Sequence, residues 1–352
     1  MKEGFQVTLN GKFRQRIRTR LQDRYGTSRA THEVNQYSEQ MAYGHREVLT
    51  RYLGLPSDAY FKAILTHGKI LSHELDPIRP QFSRDGFPLL QALWRSDAED
   101  QAKNIKVMNV ISIGATGLYE LSNQGVGLEQ IKRNIEKVSK KHVWSENRAD
   151  LLDLFSGKKI LYMPTHSWDG DVVKHTIEKV DFLKNLVPQN VTVCLGYLDF
   201  CDPKVRRIYS QPGWKIECAG VRASKAFGSP AGGREYFLAE LFYILDQADV
   251  VIADELTTGQ MYAACIGKEI GLLPEDDSVS LTFSSWQTSS NFREFNMKIR
   301  ETYPWLIGND LNNTMCEDIS QALGVNRFRM PSELGRELPW YQEKRLEFRS
   351  TE

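Results

Sequence analysis

The run Asp254-Glu255-Leu256-Thr257-Thr258-Gly259 follows an apolar stretch, ADVVIA, and leads into a segment of helical composition. At such a junction the first N–H groups of the helix lack partners within it, and two hydroxyls beside them suit a phosphate or diphosphate. Gly259, without a Cβ, would let a ligand approach the backbone. Thr257 or Thr258 would serve equally well as an ordinary helix cap, so both readings stand. A second loop, Gly228-Ser229-Pro230-Ala231-Gly232-Gly233, ends in Arg234-Glu235. An arginine at a helix start matches phosphate with parallel hydrogen bonds, and the adjacent carboxylate would accept from ribose or sugar hydroxyls. Arg222, shortly upstream, joins the phosphate-binding candidates. The alternative for this loop is a plain connector bearing a surface arginine.

Two histidine sites are of a different kind. Thr165-His166 follows the apolar ILYM and a proline, with Asp169 and Asp171 close behind. A histidine there would bind phosphate or stabilise a departing nucleotide. The two aspartates make only a weak metal pair, since D-x-D is common in loops. His67-Gly68 closes another apolar run. A histidine is suited to take a proton from a hydroxyl, a task that His73 or Glu74 would share. A lone histidine at a strand end is otherwise a hydrogen-bonded structural residue. Neither G-x-x-x-x-G-K-[ST] nor a strand followed by G-x-G-x-x-G occurs, so P-loop hydrolysis and dinucleotide-dependent hydride transfer lack support.

The elements that must hold these residues read as alternating strands and helices. Strands are predicted at 61–66, 88–94 and 107–113, with a short crossover helix beginning at the good N-cap Ser96. A charged stretch over 128–154 has helical spacing, with Ile131, Ile135 and Val138 as its stripe. The pattern then restarts with a strand at 160–163, a helix at 172–186 and strands at 191–195 and 214–218. A helix at 234–247, a strand at 250–253, a helix at 259–266 and a strand at 269–273 complete it. Such alternation implies a parallel sheet, whose ligands meet the loops at the carboxyl ends of the strands.

At 352 residues, two domains are the natural division, with a boundary near 155–158. Apolar residues at 41 % and charged ones at 26 % are globular values and exclude a disordered or coiled-coil chain. Lysine plus arginine equals aspartate plus glutamate, 45 each, so net charge gives no reason to expect nucleic acid as a partner. Five cysteines without a C-x-x-C pair predict reduced thiols in a cytoplasmic protein. No signal-peptide core and no apolar stretch of bilayer-spanning length is found. The segment 12–24, KFRQRIRTRLQDR, spaces Phe13, Ile17 and Leu21 by four among basic residues. It predicts an amphipathic helix that either packs on its own domain or makes a peripheral contact with the inner membrane.

Together, THGK, ILYMPTHSWDGD and ADVVIADELTTGQMYAACIGKEIGLL resemble the GT-B glycosyltransferase superfamily. More narrowly, they look like the bacterial surface-polysaccharide branch that includes CDP-glycerol glycerophosphotransferases and transferases of CMP-activated acidic sugars. The resemblance implies two Rossmann-like, doubly wound α/β domains facing a central cleft. These would be an acceptor-binding domain at residues 1–156, a donor-binding domain at 157–330 and a segment at 331–352 returning to the first. It implies His67 as the base, a strand of the "LY-x-PT" kind at 161–165, and Thr257-Thr258 on donor phosphate. Asp202-Pro203 stands where acidic-sugar transferases carry His-Pro. His166 and Ser167 stand where the glycerophosphate enzymes place basic residues. The implied activity is metal-independent transfer, without a cofactor, from a nucleotide sugar to an oligosaccharide or lipid-linked glycan. A polyol-phosphate transferase and a non-catalytic nucleotide- or polysaccharide-binding assembly protein are the alternatives.

Overall fold

The computed structural model describes residues 44–57, 59–61, 63–66, 109–167, 172–186, 190–220, 237–274, 282–283, 297, 299–308, 314–338 and 340–342. The expected strand at 88–94, the crossover helix at Ser96 and the basic segment 12–24 lie outside these residues. Helix α1 (His45–Leu53) is followed by an apolar run that reads as one strand but serves two partners. Strand β1 (Ala59–Phe61) pairs antiparallel with residues 340–342, whereas β2 (Ala63–Thr66) pairs parallel with β3 (Asn109–Ser112). Ile113 does not extend β3 but opens helix α2 (Ile113–Asn123), which packs along α1.

The helical stretch at 128–154 is two helices, α3 (Leu128–Lys141) and α4 (Arg148–Phe155). Ile131, Ile135 and Val138 of α3 are fully buried, each contributing about 1.5–3 kcal/mol by leaving water. The break between them is fixed by tertiary contacts. The His142 ring donates from Nε2 to the carbonyl of Trp305, 2.7 Å away, and the Trp144 indole donates to the carbonyl of Leu272. Asn147 then caps α4 through the N–H of Ala149. No spacing rule could show this interruption.

The second half proceeds through β4 (Ile160–Met163), β5 (Val173–Lys174), α5 (Ile177–Leu186) and β6 (Val191–Cys194). Next come α6 (Tyr197–Cys201), α7 (Pro203–Tyr209), β7 (Lys215–Glu217) and α8 (Phe237–Asp246). Strand β8 (Val250–Ala253), helix α9 (Thr258–Cys265), β9 (Glu269–Leu272) and β10 (Thr282–Phe283) follow, and β10 pairs with β5. Helices α10 (Met315–Leu323) and α11 (Pro331–Glu337) lead to β11 (Trp340–Gln342), the partner of β1. Asp202-Pro203 has a local explanation: the Asp202 side chain caps α7 through the N–H of Lys204, and Pro203 fills the first helical position, where its missing N–H costs nothing.

Strands β7, β6, β4, β8 and β9 lie side by side in that order, all parallel. In chain order within the sheet this is third, second, first, fourth, fifth, so the winding reverses between β4 and β8. Alternate residues of β4 face opposite layers. Ile160 and Tyr162 pack with α4, α5 and α7, whereas Leu161 packs with α3, α8, α9 and α10. The chain is thus an α/β protein on a doubly wound, five-stranded parallel sheet. The layer on the Leu161 side is continuous with Val48, Leu49 and Phe61 of the first half and with Leu334 and Leu338 near the end. Helix α2 meets α9 closely at Gly117, where an added Cβ would stand 2.1 Å from the Tyr262 ring.

Candidate functional site

The winding reversal leaves a crevice at the carboxyl ends of β4 and β8, because the connections from these two strands run to opposite faces. Its walls are the loops 164–167 and 254–257. Both are locked from below by carboxylates. Asp254 accepts a hydrogen bond from the N–H of Thr165 at 3.0 Å and from the Tyr162 hydroxyl at 2.9 Å, and Lys179 Nζ of α5 stands 2.7 Å from its Oδ1. All four residues are buried. The lysine cancels the charge that burial would make costly, and the neutral donors fill the remaining acceptor positions.

Asp199, in helix α6 just after β6, holds the other side of the same loop. It accepts from the N–H of Ser167 at 2.8 Å, and His175 Nε2 lies 3.5 Å from its other oxygen. Burial opposes its ionisation, but hydrogen bonds from His175 and Ser167 outweigh that effect and hold the carboxyl below its usual pKa. The ring of His175 meets the Tyr209 hydroxyl at 3.0 Å through Nδ1. Burial, and then the neighbouring Asp254, raise the hydroxyl pKa of both Tyr162 and Tyr209, so both remain neutral donors. Ser167 Oγ, in turn, accepts from the N–H of Val173. Loop 164–167 is therefore held at Thr165 from the β8 side and at Ser167 from the β6 side.

Of the expected donor residues, Thr165, His166, Glu255, Thr257, Thr258 and Gly259 lie on these two loops and the first turn of α9. Thr257 is the cap of α9. Its hydroxyl accepts from the N–H of Gln260, and the Gln260 side chain accepts from the N–H of Thr257. Thr258 and Gly259 follow in the first turn, where backbone N–H groups have no acceptor within the helix. The space beside Gly259 is taken by Met163, whose methyl would lie 2.7 Å from an added Cβ, so side-chain packing accounts for this glycine. Glu255 and Thr258 are half-buried, and His166 is exposed at the mouth. The Thr165 hydroxyl is buried without a hydrogen-bond partner. His67, Glu74, Arg222, Arg234, Glu235, Asp169 and Asp171 lie outside the described residues.

Lys179, Asp199, His175 and Tyr162 escaped the sequence reading. Asp199 sits in LGYLDFC and Lys179 within an amphipathic helix, and neither spacing announces a partner 32 or more residues away. One signal was legible: Asp254 ends an unbroken apolar strand, and a carboxylate buried there needs hydrogen-bond partners. At the crevice Asp254 and Asp199 are occupied with loop backbone, Lys179 and His175, and the first turn of α9 presents donors. That combination favours an anionic group over a cation. No protein-family model matches the chain, and no curated protein or solved structure does. Among the described residues no helix is long and apolar enough to cross a membrane.

Proposed function

We propose that the protein is a GT-B-type glycosyltransferase that binds a nucleotide-activated sugar at the crevice between β4 and β8 and transfers the sugar to a bacterial surface glycan. The observation that carries this reading is the reversal of winding at β4 and β8. It brings the first turn of α9, Thr258 and the loop of Thr165 and His166 to one crevice. Phosphate charge that develops as the nucleotide leaves would be met by these N–H groups, the Thr258 hydroxyl and His166, with Arg222 and Arg234 as further candidates. In the first half, His67 would accept the proton of the acceptor hydroxyl, with Glu74 as its alternate.

Incubation with UDP-, GDP-, CDP-, CMP- and dTDP-linked donors, together with lipid-linked and free oligosaccharides, tests this reading through mass spectrometry of the products. A hexose or acidic-sugar mass added to the acceptor is expected. A glycerol-phosphate increment would turn the assignment to a polyol-phosphate transferase, and nucleotide binding without any product would make the protein a binding module. His67→Ala is expected to lower turnover roughly 10²–10⁴-fold with nucleotide affinity unchanged.

A further inference from the structure

A second hollow lies away from the crevice. It has a volume of about 560 Å³, within the ~300–1,000 Å³ of small-molecule sites. Asp246, which closes α8, and Ile266, which follows α9, put it toward the amino ends of β8 and β9, whereas the crevice lies at the carboxyl ends. Leu121, Phe242 and Ile266 give it an apolar floor, and the Phe242 ring is held by that of Tyr262 at a centroid distance of 5.1 Å. The rim is amide. Gln130 Nε2 donates to Asn134 Oδ1 at 2.7 Å, Asn134 Nδ2 donates to the carbonyl of Cys265 at 2.8 Å, and Arg133 donates to Gln130 Oε1 at 2.9 Å. This chain orients Gln130 and Asn134, yet each amide nitrogen has a second hydrogen and each amide oxygen a second lone pair. Gln124, beside them, donates through Nε2 to Glu120, which leaves its Oε1 open to a ligand. Tyr243 of α8 stands at the edge, 66 % exposed.

The chemistry of this lining selects its ligand. Among the described residues no lysine or arginine lines the hollow, and its one carboxylate, Asp246, has an oxygen 3.0 Å from Lys268 Nζ. A phosphate or carboxylate ligand therefore finds no cation there, and a divalent cation meets a single carboxylate that already has a partner. A lipid tail would cover the amides without bonding to them, which is costly. A neutral pyranose fits each part. Its hydroxyls both donate and accept, as amides do, and its C–H face packs on an aromatic ring or an apolar floor. We propose that this hollow is a second binding site, for neutral sugar units of a glycan, with Tyr243 as the stacking ring and Gln124, Gln130 and Asn134 as partners of the hydroxyls. Binding here does not depend on the donor crevice. Its use rests on the transferase reading given above: a glycan held at the hollow stays at high effective concentration while its end is extended elsewhere on the same molecule.

Saturation-transfer NMR and affinity electrophoresis of the full chain, without nucleotide, test this with maltohexaose, cellohexaose, laminarihexaose and chitohexaose. Oligogalacturonate and hyaluronan fragments serve as acidic comparators. At least one neutral oligosaccharide is expected to bind, and the acidic ones no better. Tyr243→Ala should weaken that binding roughly tenfold, the worth of a stacked ring, and Gln124→Ala roughly two- to tenfold, the worth of a neutral hydrogen bond. Both residues are exposed, so the melting temperatures should be nearly those of the wild type. Nucleotide affinity should be the same in Tyr243→Ala as in the wild type. Saccharide binding that Tyr243→Ala weakens, in a protein that binds no nucleotide, would support the hollow and overturn the donor reading alone. No binding of any saccharide, a preference for the acidic ones, or wild-type affinity in both variants overturns the proposal. So does dimerisation of the wild type in sedimentation that Tyr243→Ala abolishes, which would make this face an interface between copies of the chain.

Discussion

Among single residues, the Asp254–Lys179 pair is the most exposed to a decisive substitution. Lys179→Met keeps the length of the apolar stem but leaves a buried carboxylate without its cation, which is expected to cost about 3–5 kcal/mol. In urea denaturation, combining it with Asp254→Asn should recover part of that loss, because the double change removes the charge as well as its partner. Purely additive effects would mean that the two residues do not interact. His45 gives a pH prediction. Its ring meets the Thr116 hydroxyl at 2.7 Å, and burial pushes its pKa down to about 3. An unfolded histidine takes up a proton near pH 6.5, so between about pH 6.5 and 3 the unfolded chain binds more protons than the fold. Stability from this residue is complete above that window and falls by about 1.4 kcal/mol per pH unit as the solution is acidified. Denaturation series at successive pH values from about 6.5 to 4.5 should show this slope, and His45→Gln should lack it. That range lies above the usual aspartate titration, so Asp199 adds little there. Its depressed pKa contributes stability that is lost only at more acidic pH.

Among elements, the second half was largely legible in the sequence. Its strands β4, β6, β8 and β9 are short and mostly buried, and such strands announce themselves as apolar runs between turns, whereas β5 and β7 carry exposed residues. What was hidden is set by distant partners. The split of residues 59–66 into two strands depends on partners at 109–112 and 340–342. The break between α3 and α4 depends on the carbonyls of Trp305 and Leu272. In the crevice, Thr257, Thr258 and His166 could be singled out from sequence because their positions follow strand ends. The buried supports Lys179, Asp199 and His175 could not, since their roles come from contacts across layers. The junction of α2 with α9 is likewise invisible in sequence and carries its own prediction. Gly117→Ala should drive the Tyr262 ring from its site and destabilise by about 1–3 kcal/mol, and shrinking that ring in Gly117→Ala/Tyr262→Leu should relieve part of the cost. Melting temperatures of the two variants decide it; an unchanged Gly117→Ala would mean that the join is looser than the 2.1 Å approach requires.

Among the described residues, a hydrophobic core runs from α1 through the five-stranded sheet to α11, and the crevice lies at the carboxyl edge of that sheet. The central claim is that this crevice takes the phosphates of a nucleotide-activated donor. Thr257 and Thr258 divide the test between them, since one is committed to the helix cap and the other follows it in the first turn, where the proposed reading puts the donor phosphate. Thr257→Val should cost about 1 kcal/mol of stability through the lost cap. Thr258→Val should leave melting nearly unchanged and weaken nucleotide binding by about 1.5–3 kcal/mol, the worth of a hydrogen bond to a charged group. The most direct measurement is calorimetric titration of the wild-type protein and Thr258→Val with UDP-, GDP-, CDP-, CMP- and dTDP-linked sugars. Binding of one nucleotide class by the wild type, weakened in the variant at unchanged stability, is the predicted result; no binding of any donor, or equal affinity in both proteins, would contradict it.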